Sequence, residues 1–132
     1  MAGRRPSAKN YHHILRGWWK DKWFDSSWEL ALIVYCHDHG IELTRNLQKF
    51  PYVWRRKTEW YQPDFRKEDG HFIEVKGIMD RRSARKIQSF PYPLEVYGAK
   101  EMKPYLEYVR AKYGDDWAMT LIARDGRLEG SE

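Results

Sequence analysis

Residues 61–77 read YQPDFRKEDGHFIEVKG, and this segment gives the clearest indication of the fold. It predicts two antiparallel strands, residues 59–65 and 71–76, because both segments are rich in aromatic and β-branched residues. The turn between them falls at Lys67–Gly70, where glycine is available for a positive φ. The stretch therefore predicts a β-hairpin that carries acidic and basic residues on its strands.

Side-chain alternation along the second strand separates its polar residues from its apolar ones. Glu74 and Lys76 point to one face, while Ile73 and Val75 point to the other and can hold the strand in a core. If Asp64 reaches the polar face from the partner strand, two carboxylates and a lysine converge. Such a group can bind a hard divalent cation through oxygen atoms and place a water molecule beside it.

This convergence depends on the pairing register of the hairpin. Residues directly opposed on paired strands share a face, so Asp64 must oppose Glu74 or Lys76. A regular four-residue loop at Lys67–Gly70 would pair Asp64 with Ile73 instead. The site therefore requires an odd number of loop residues, or a bulge that shifts the register.

The segments around the hairpin predict a mixed α/β domain, with a central β-sheet flanked by helices. A helix is expected to begin at Ser26 or Ser27 and to stop at Gly40, because apolar residues recur on one stripe in Trp28, Leu32, Tyr35 and Cys36. Further strands are expected at residues 41–44, 50–54 and 94–97, and further helices at residues 80–89 and 101–113.

Glu29 in the first of these helices is a candidate fourth site residue. A helix packed on the sheet could deliver its carboxylate to the same metal. The alternative is equally open, because Ser26 and Glu29 have the spacing of a capping box, in which the glutamate bonds the backbone at the helix start.

Three basic clusters are candidate contacts to DNA phosphates. They are Arg81, Arg82, Arg85 and Lys86 on the helix after the acidic strand, Arg55, Arg56 and Lys57 at a hairpin turn, and Arg16 and Lys20 near the N-terminus. The alternative for each cluster is an ordinary solvated surface. Near the N-terminus, base stacking by Trp18, Trp19 and Trp23 competes with simple packing.

The composition is that of one small globular domain. The chain has 132 residues, of which 42% are hydrophobic, 33% charged and 16% aromatic, and its net charge of +5 makes nucleic acid the leading partner. The single cysteine excludes an internal disulfide and is typical of a reducing cytoplasm. No apolar stretch has the length of a membrane span, and the first residues lack the apolar core of a signal peptide.

Charge is distributed unevenly along this single domain. Residues 1–24 form a basic, aromatic-rich arm, residues 25–114 form the core, and residues 115–132 form an acidic tail. A structural zinc site is a weak alternative use of His12, His13, Cys36, His37 and His39. Only Cys36 and His39 have half of the paired spacing that such sites use, and a cysteine on an apolar helical stripe more often belongs to the core.

These motifs resemble the signature of the PD-(D/E)XK nuclease superfamily. Pro63-Asp64 followed by Glu74-Val75-Lys76-Gly77 matches its central motif, and Glu29 matches its upstream helical acid. The chain is also similar to small phage-type endonucleases of homing-endonuclease character over roughly residues 16–114. The segments that carry this wider similarity are residues 25–31, 39–46, 61–65, 72–77 and 101–108.

The resemblance implies metal-dependent hydrolysis of DNA phosphodiesters. It implies that Asp64, Glu74 and the backbone carbonyl of Val75 bind Mg²⁺, for which Mn²⁺ substitutes, with Glu29 contributing through a water molecule. Lys76 would orient or deprotonate the attacking water. A phage-encoded enzyme of this kind would act in the host cytoplasm, and a homodimer would cut both strands. A resolvase of branched DNA and a DNA-binding module without catalysis remain alternatives.

Overall fold

The computed structural model of the protein describes residues 15–130, which contain four helices and nine strands. The expected α/β class is therefore confirmed. The chain divides into two units: a terminal unit, residues 15–39 with 104–130, and a central unit, residues 40–103. Within the described residues, no helix has both the length and the apolar character needed to cross a membrane.

The terminal unit contains a three-stranded antiparallel sheet in the order β2-β1-β9. Its strands are β1 (Gly17–Trp19), β2 (Lys22–Phe24) and β9 (Gly126–Leu128). The helices α1 (Ser27–Asp38) and α4 (Trp117–Asp125) belong to the same unit. The sequence did not indicate this sheet or α4, because three-residue strands show no measurable alternation. The arm and tail boundaries stay a prediction, although β1 and β9, one from each segment, pair directly.

Helix α1 begins and ends where the sequence predicts. Ser26 is the N-cap, and its Oγ accepts a hydrogen bond from Glu29 N–H at 3.2 Å. Gly40 follows the helix with a φ of 67°, a conformation in which a side chain would be strained. The prediction of a single apolar stripe is wrong, however, because residues 27–34 are all buried. Over these residues the helix is buried on every side, so its apolar residues do not follow one face.

The central unit contains a four-stranded sheet in the order β3-β6-β7-β8. Its strands are β3 (Leu43–Arg45), β6 (Phe65–Lys67), β7 (Phe72–Val75) and β8 (Leu94–Tyr97), and only the β7–β8 pair is parallel. Strands β4 (Phe50–Trp54) and β5 (Lys57–Tyr61) form a separate hairpin, called the outer hairpin below. Helix α2 (Arg81–Ser89) follows β7, and the residues of α3 (Ala99–Tyr113) are divided between the two units.

The single strand expected at residues 59–65 is wrong, because the chain leaves β5 at Tyr61 and enters β6 at Phe65. Pro63 lies between them and has no N–H to donate to a strand ladder. Asn46 stabilises this break, since its side-chain Nδ2 donates to Pro63 O at 2.9 Å and its backbone N–H donates to Asp64 O at 3.0 Å. The break lets β5 pair with β4 while β6 pairs with β3 and β7.

Candidate active site

The register that the site requires is present. Phe65 pairs with Ile73 and Arg66 with Phe72, and Lys67 N–H donates to His71 O at 2.9 Å. The turn therefore contains three residues, 68–70, an odd number, and the condition on the loop length is met. If the ladder continued by one residue, the same register would set Asp64 opposite Glu74.

Asp64 is anchored against the end of β7. Its Oδ2 accepts a hydrogen bond from Val75 N–H at 2.8 Å, and its backbone oxygen accepts the Asn46 N–H. Asp64 lies outside the regular ladder, in the bend that follows Pro63. This bend brings the carboxylate to the backbone between the two residues that the sequence associates with it, Glu74 and Lys76.

Glu74 is buried, with 6% of its surface exposed, and a tyrosine contacts it. The Tyr61 hydroxyl donates to Glu74 Oε1 at 3.0 Å. Burial, followed by the repulsion of the Glu74 carboxylate, raises the pKa of Tyr61 far above its usual value, so the hydroxyl remains a hydrogen-bond donor. Tyr61 was not singled out from the sequence as a site residue, although it lies three residues before Asp64 and begins one of the segments that carry the resemblance.

Lys76 continues the parallel ladder beyond β7, because its N–H donates to Tyr97 O at 2.9 Å. Alternation sets it on the Glu74 face. Asp80, the N-cap of α2, lies close enough for its carboxylate to interact with the positive charge of Lys76. The hydrogen bond from Ser83 N–H and the attraction of Lys76 and Lys86 lower the pKa of Asp80. The charge of Lys76 therefore acts on Asp80.

Glu29 belongs to the terminal unit and takes part in the cap of α1. Its Oε1 accepts a hydrogen bond from Asp25 N–H at 3.2 Å, while its own N–H bonds Ser26. The capping role is thus observed, displaced by one residue from the usual reciprocal bond to the N-cap itself. The side chain is buried, with 4% exposed. Its contribution to a metal site stays a prediction.

The basic residues of α2 are engaged with the outer hairpin. Arg82 Nε donates to the Tyr52 hydroxyl at 2.9 Å, Arg85 Nε donates to Val53 O at 3.4 Å, and Lys86 Nζ lies 5.1 Å from the centre of the Tyr61 ring. Arg81 is exposed. These contacts hold the helix and hairpin together, and the exposed faces of the same cations remain available to phosphates.

The two other basic clusters differ from each other. Arg55, Arg56 and Lys57 are exposed around the tip of the outer hairpin. Arg16 pairs with Asp25 at 2.9 Å and with Glu129 at 3.7 Å, and Lys20 pairs with Asp125 at 3.8 Å. Part of the N-terminal charge is therefore neutralised within the terminal unit, whereas the hairpin tip is not paired in this way.

The residues of the zinc alternative are otherwise engaged where the structure describes them. Cys36 is buried, His39 Nδ1 lies 2.7 Å from Tyr35 O, and the His37 ring packs edge-on against Trp19. His12 and His13 lie outside the described residues. Between residues 15 and 130, no group of three or more histidine, cysteine, aspartate or glutamate side chains is arranged to hold a metal ion.

Comparison of the chain with protein-family models, with curated proteins and with solved structures found no match. A function must therefore be inferred from the residues and contacts described above.

Proposed function

We propose that the protein is a metal-dependent DNA endonuclease of the PD-(D/E)XK type. The observation that carries the proposal is the three-residue turn between β6 and β7. Continued by one residue, its register leads to Asp64 opposite the buried Glu74, and the Asp64 carboxylate accepts the Val75 N–H at 2.8 Å. A four-residue turn would have turned Asp64 to the opposite face, and the proposal would have had no geometric support.

The donor set suits Mg²⁺. Asp64, Glu74 and the Val75 carbonyl offer only oxygen atoms, which are the ligands that this ion prefers. A carboxylate as buried as Glu74 carries a desolvation cost that hydrogen bonds or a cation offset. Mn²⁺, with similar ligand preferences, would substitute. When bound, the metal supplies charge neutralisation at the phosphate and a more acidic water.

The residues of the chain have separate tasks in this proposal. Tyr61 fixes the rotamer of Glu74 through its hydroxyl. Val75 N–H fixes Asp64 in the same way. Lys76, on the Glu74 face, orients the attacking water and stabilises negative charge that develops on the phosphate. The basic clusters on α2 and at the outer hairpin bind the DNA backbone on either side of the scissile bond.

Plasmid cleavage tests this proposal. We expect cleavage with Mg²⁺ and none with EDTA, and we expect Asp64→Asn and Lys76→Ala to slow cleavage by about 100-fold or more, the scale on which a positioned catalytic group acts. Glu68→Gln and Lys100→Ala are matched controls, because both residues are exposed, and they should cut as fast as wild type. Thermal unfolding would establish that every variant is folded.

Two results would count against the proposal. If Asp64→Asn and Lys76→Ala both cut as fast as wild type, the active site is elsewhere. If wild type binds DNA but cuts none with either Mg²⁺ or Mn²⁺, the protein is a DNA-binding module that keeps the fold without catalysis.

A further inference from the structure

The outer hairpin presents one face to solvent. Pro51 pairs with Trp60 and Val53 with Thr58, so these four side chains lie together on what we call the outer face. Trp60 is 62% exposed and Val53 is 53% exposed. An exposed tryptophan in the middle of a strand offers a flat apolar surface of a size that soluble proteins usually bury.

The opposite face of the same hairpin holds it in place. The Phe50 ring packs edge-on against Phe72 and Phe90, with centroids 5.5 and 4.9 Å away. Arg82 and Arg85 of α2 donate to Tyr52 and Val53. Trp60 is therefore presented by a hairpin that is packed against the rest of the central unit. This packing reduces the conformational entropy that is lost when a ligand stacks on Trp60.

The charge around the outer face is positive. Residues 49–61 contain the cations Lys49, Arg55, Arg56 and Lys57, and a single acid, Glu59. Glu59 lies on the inner face, 3.4 Å from Arg82. A second copy of the chain on this face would bring a second set of the same cations, whereas a polyanion would neutralise them.

We infer that the outer face binds unpaired DNA bases, with Trp60 as the stacking platform and the cationic tip on the flanking phosphates. This inference rests on the proposed function. Within a paired duplex the base faces are covered by neighbouring bases, so an indole can stack only on a base that is unpaired or at an end. The two enzymatic functions that the sequence suggests are an endonuclease and a resolvase of branched DNA. A stacking surface of this kind favours a gapped or branched substrate over a fully paired linear duplex.

Binding without metal tests the inference. The probe is a DNA duplex with a central gap in one strand that leaves a 2-aminopurine base unpaired, compared with the fully paired duplex of the same sequence. We expect wild type to prefer the gapped probe and to quench its fluorescence, and Trp60→Ala to lose roughly 5- to 100-fold in affinity for it, the scale of one stacked base. Leu47→Ala, which removes an apolar side chain that is 80% exposed and has no ring to stack, should leave this preference unchanged.

The outcomes separate this inference from the proposed function. If wild type binds both probes equally, or Trp60→Ala behaves as wild type, the inference is overturned while Mg²⁺-dependent cleavage can still hold. If sedimentation shows a dimer that Trp60→Ala dissociates, the outer face is an interface between copies and the inference is also overturned. If no probe is bound and no plasmid is cut, both proposals fail.

Discussion

At the scale of single residues, Asp38 is an acid of the terminal unit that three side chains hold through one oxygen. The hydroxyls of Tyr108 and Tyr113 donate to its Oδ2 at 2.6 and 2.7 Å, and Lys112 Nζ lies 3.1 Å from the same atom. Burial alone would raise the pKa of Asp38, but these donors lower it well below its usual value. The carboxylate therefore links the end of α1 to the last turns of α3.

A depressed pKa in the folded state gives a defined pH dependence. The unfolded chain takes up the proton first, so Asp38 contributes its full stabilisation above the ordinary aspartate pKa of about 3.9 and loses it as the pH falls further. We expect Asp38→Asn to lower the free energy of unfolding by about 2 kcal/mol at pH 7, because bonds to a charged acceptor are lost. Urea unfolding at pH 7 and pH 3 measures the difference.

The difference in the free energy of unfolding between wild type and Asp38→Asn should be smaller at pH 3 than at pH 7. Asp115→Asn is the matched control, since Asp115 is exposed and the same substitution there should change stability little at either pH. An Asp38→Asn difference that stays constant between the two pH values would show that the carboxylate charge is not what stabilises this contact.

The candidate site shows what the sequence can and cannot predict at this scale. Alternation alone set Glu74 and Lys76 on one face, because it is a local property of one strand. The register that brings Asp64 to them could be stated only as a condition, since a turn ending in Gly70 can contain three or four residues. Tyr61 was missed because its contact with Glu74 depends on the break at Pro63, which ends one strand and reorients the next.

At the scale of elements, the two-residue turns of the β4–β5 and β1–β2 hairpins hold non-glycine residues at positive φ, a strained backbone conformation. Arg55 and Arg56 have φ values of 50° and 67°, and Lys20 and Asp21 have 47° and 62°. Glycine or asparagine normally occupies such turns, because a Cβ costs about 1–2 kcal/mol in this region. We expect Arg56→Gly to raise the free energy of unfolding by about 0.5–1 kcal/mol, after the entropy cost of glycine is subtracted.

The same substitution should weaken DNA binding, because the outer hairpin loses a cation. The slope of the logarithm of affinity against the logarithm of salt concentration should become shallower by about 1. Asp21→Gly is the matched control: it relieves a similar φ in the terminal unit and should stabilise the protein without this loss of slope. If Arg56→Gly and wild type bind DNA with equal affinity, the hairpin tip does not contact DNA.

Elements with a strong local pattern were predicted well. Strands β4 and β8 have the expected bounds, and α1 and α2 differ from expectation only by a residue or so at their ends. Strands β1, β2 and β9 were missed because each has only three residues, and because β9 pairs with a strand that is distant in sequence. Local propensity is too weak to identify such strands, and their pairing energy comes from tertiary structure.

At the scale of the whole molecule, the net charge of +5 does not show how the charges are distributed between the two units. Arg16 and Lys20 are paired with Glu129 and Asp125, so the basic arm and the acidic tail partly cancel within the terminal unit. Positive charge therefore remains concentrated in the central unit. If the protein binds DNA as proposed, this distribution favours the outer hairpin and α2 over the N-terminal arm as the principal contacts.

The pairing of the two chain ends depends on glycines that admit close backbone approach. A Cβ on Gly17 would lie 2.2 Å from Arg127 O, and one on Gly126 would lie 2.3 Å from Trp18 O. Gly17→Ala should therefore separate β1 from β9 and lower the free energy of unfolding by about 2 kcal/mol, the typical cost of overpacking. Gly98→Ala is the control, because its nearest neighbour would be the Glu101 side chain at 3.3 Å, which can move. Urea unfolding of both variants measures the contrast, and a Gly17→Ala protein as stable as wild type would mean that the β1–β9 pair contributes nothing to the fold.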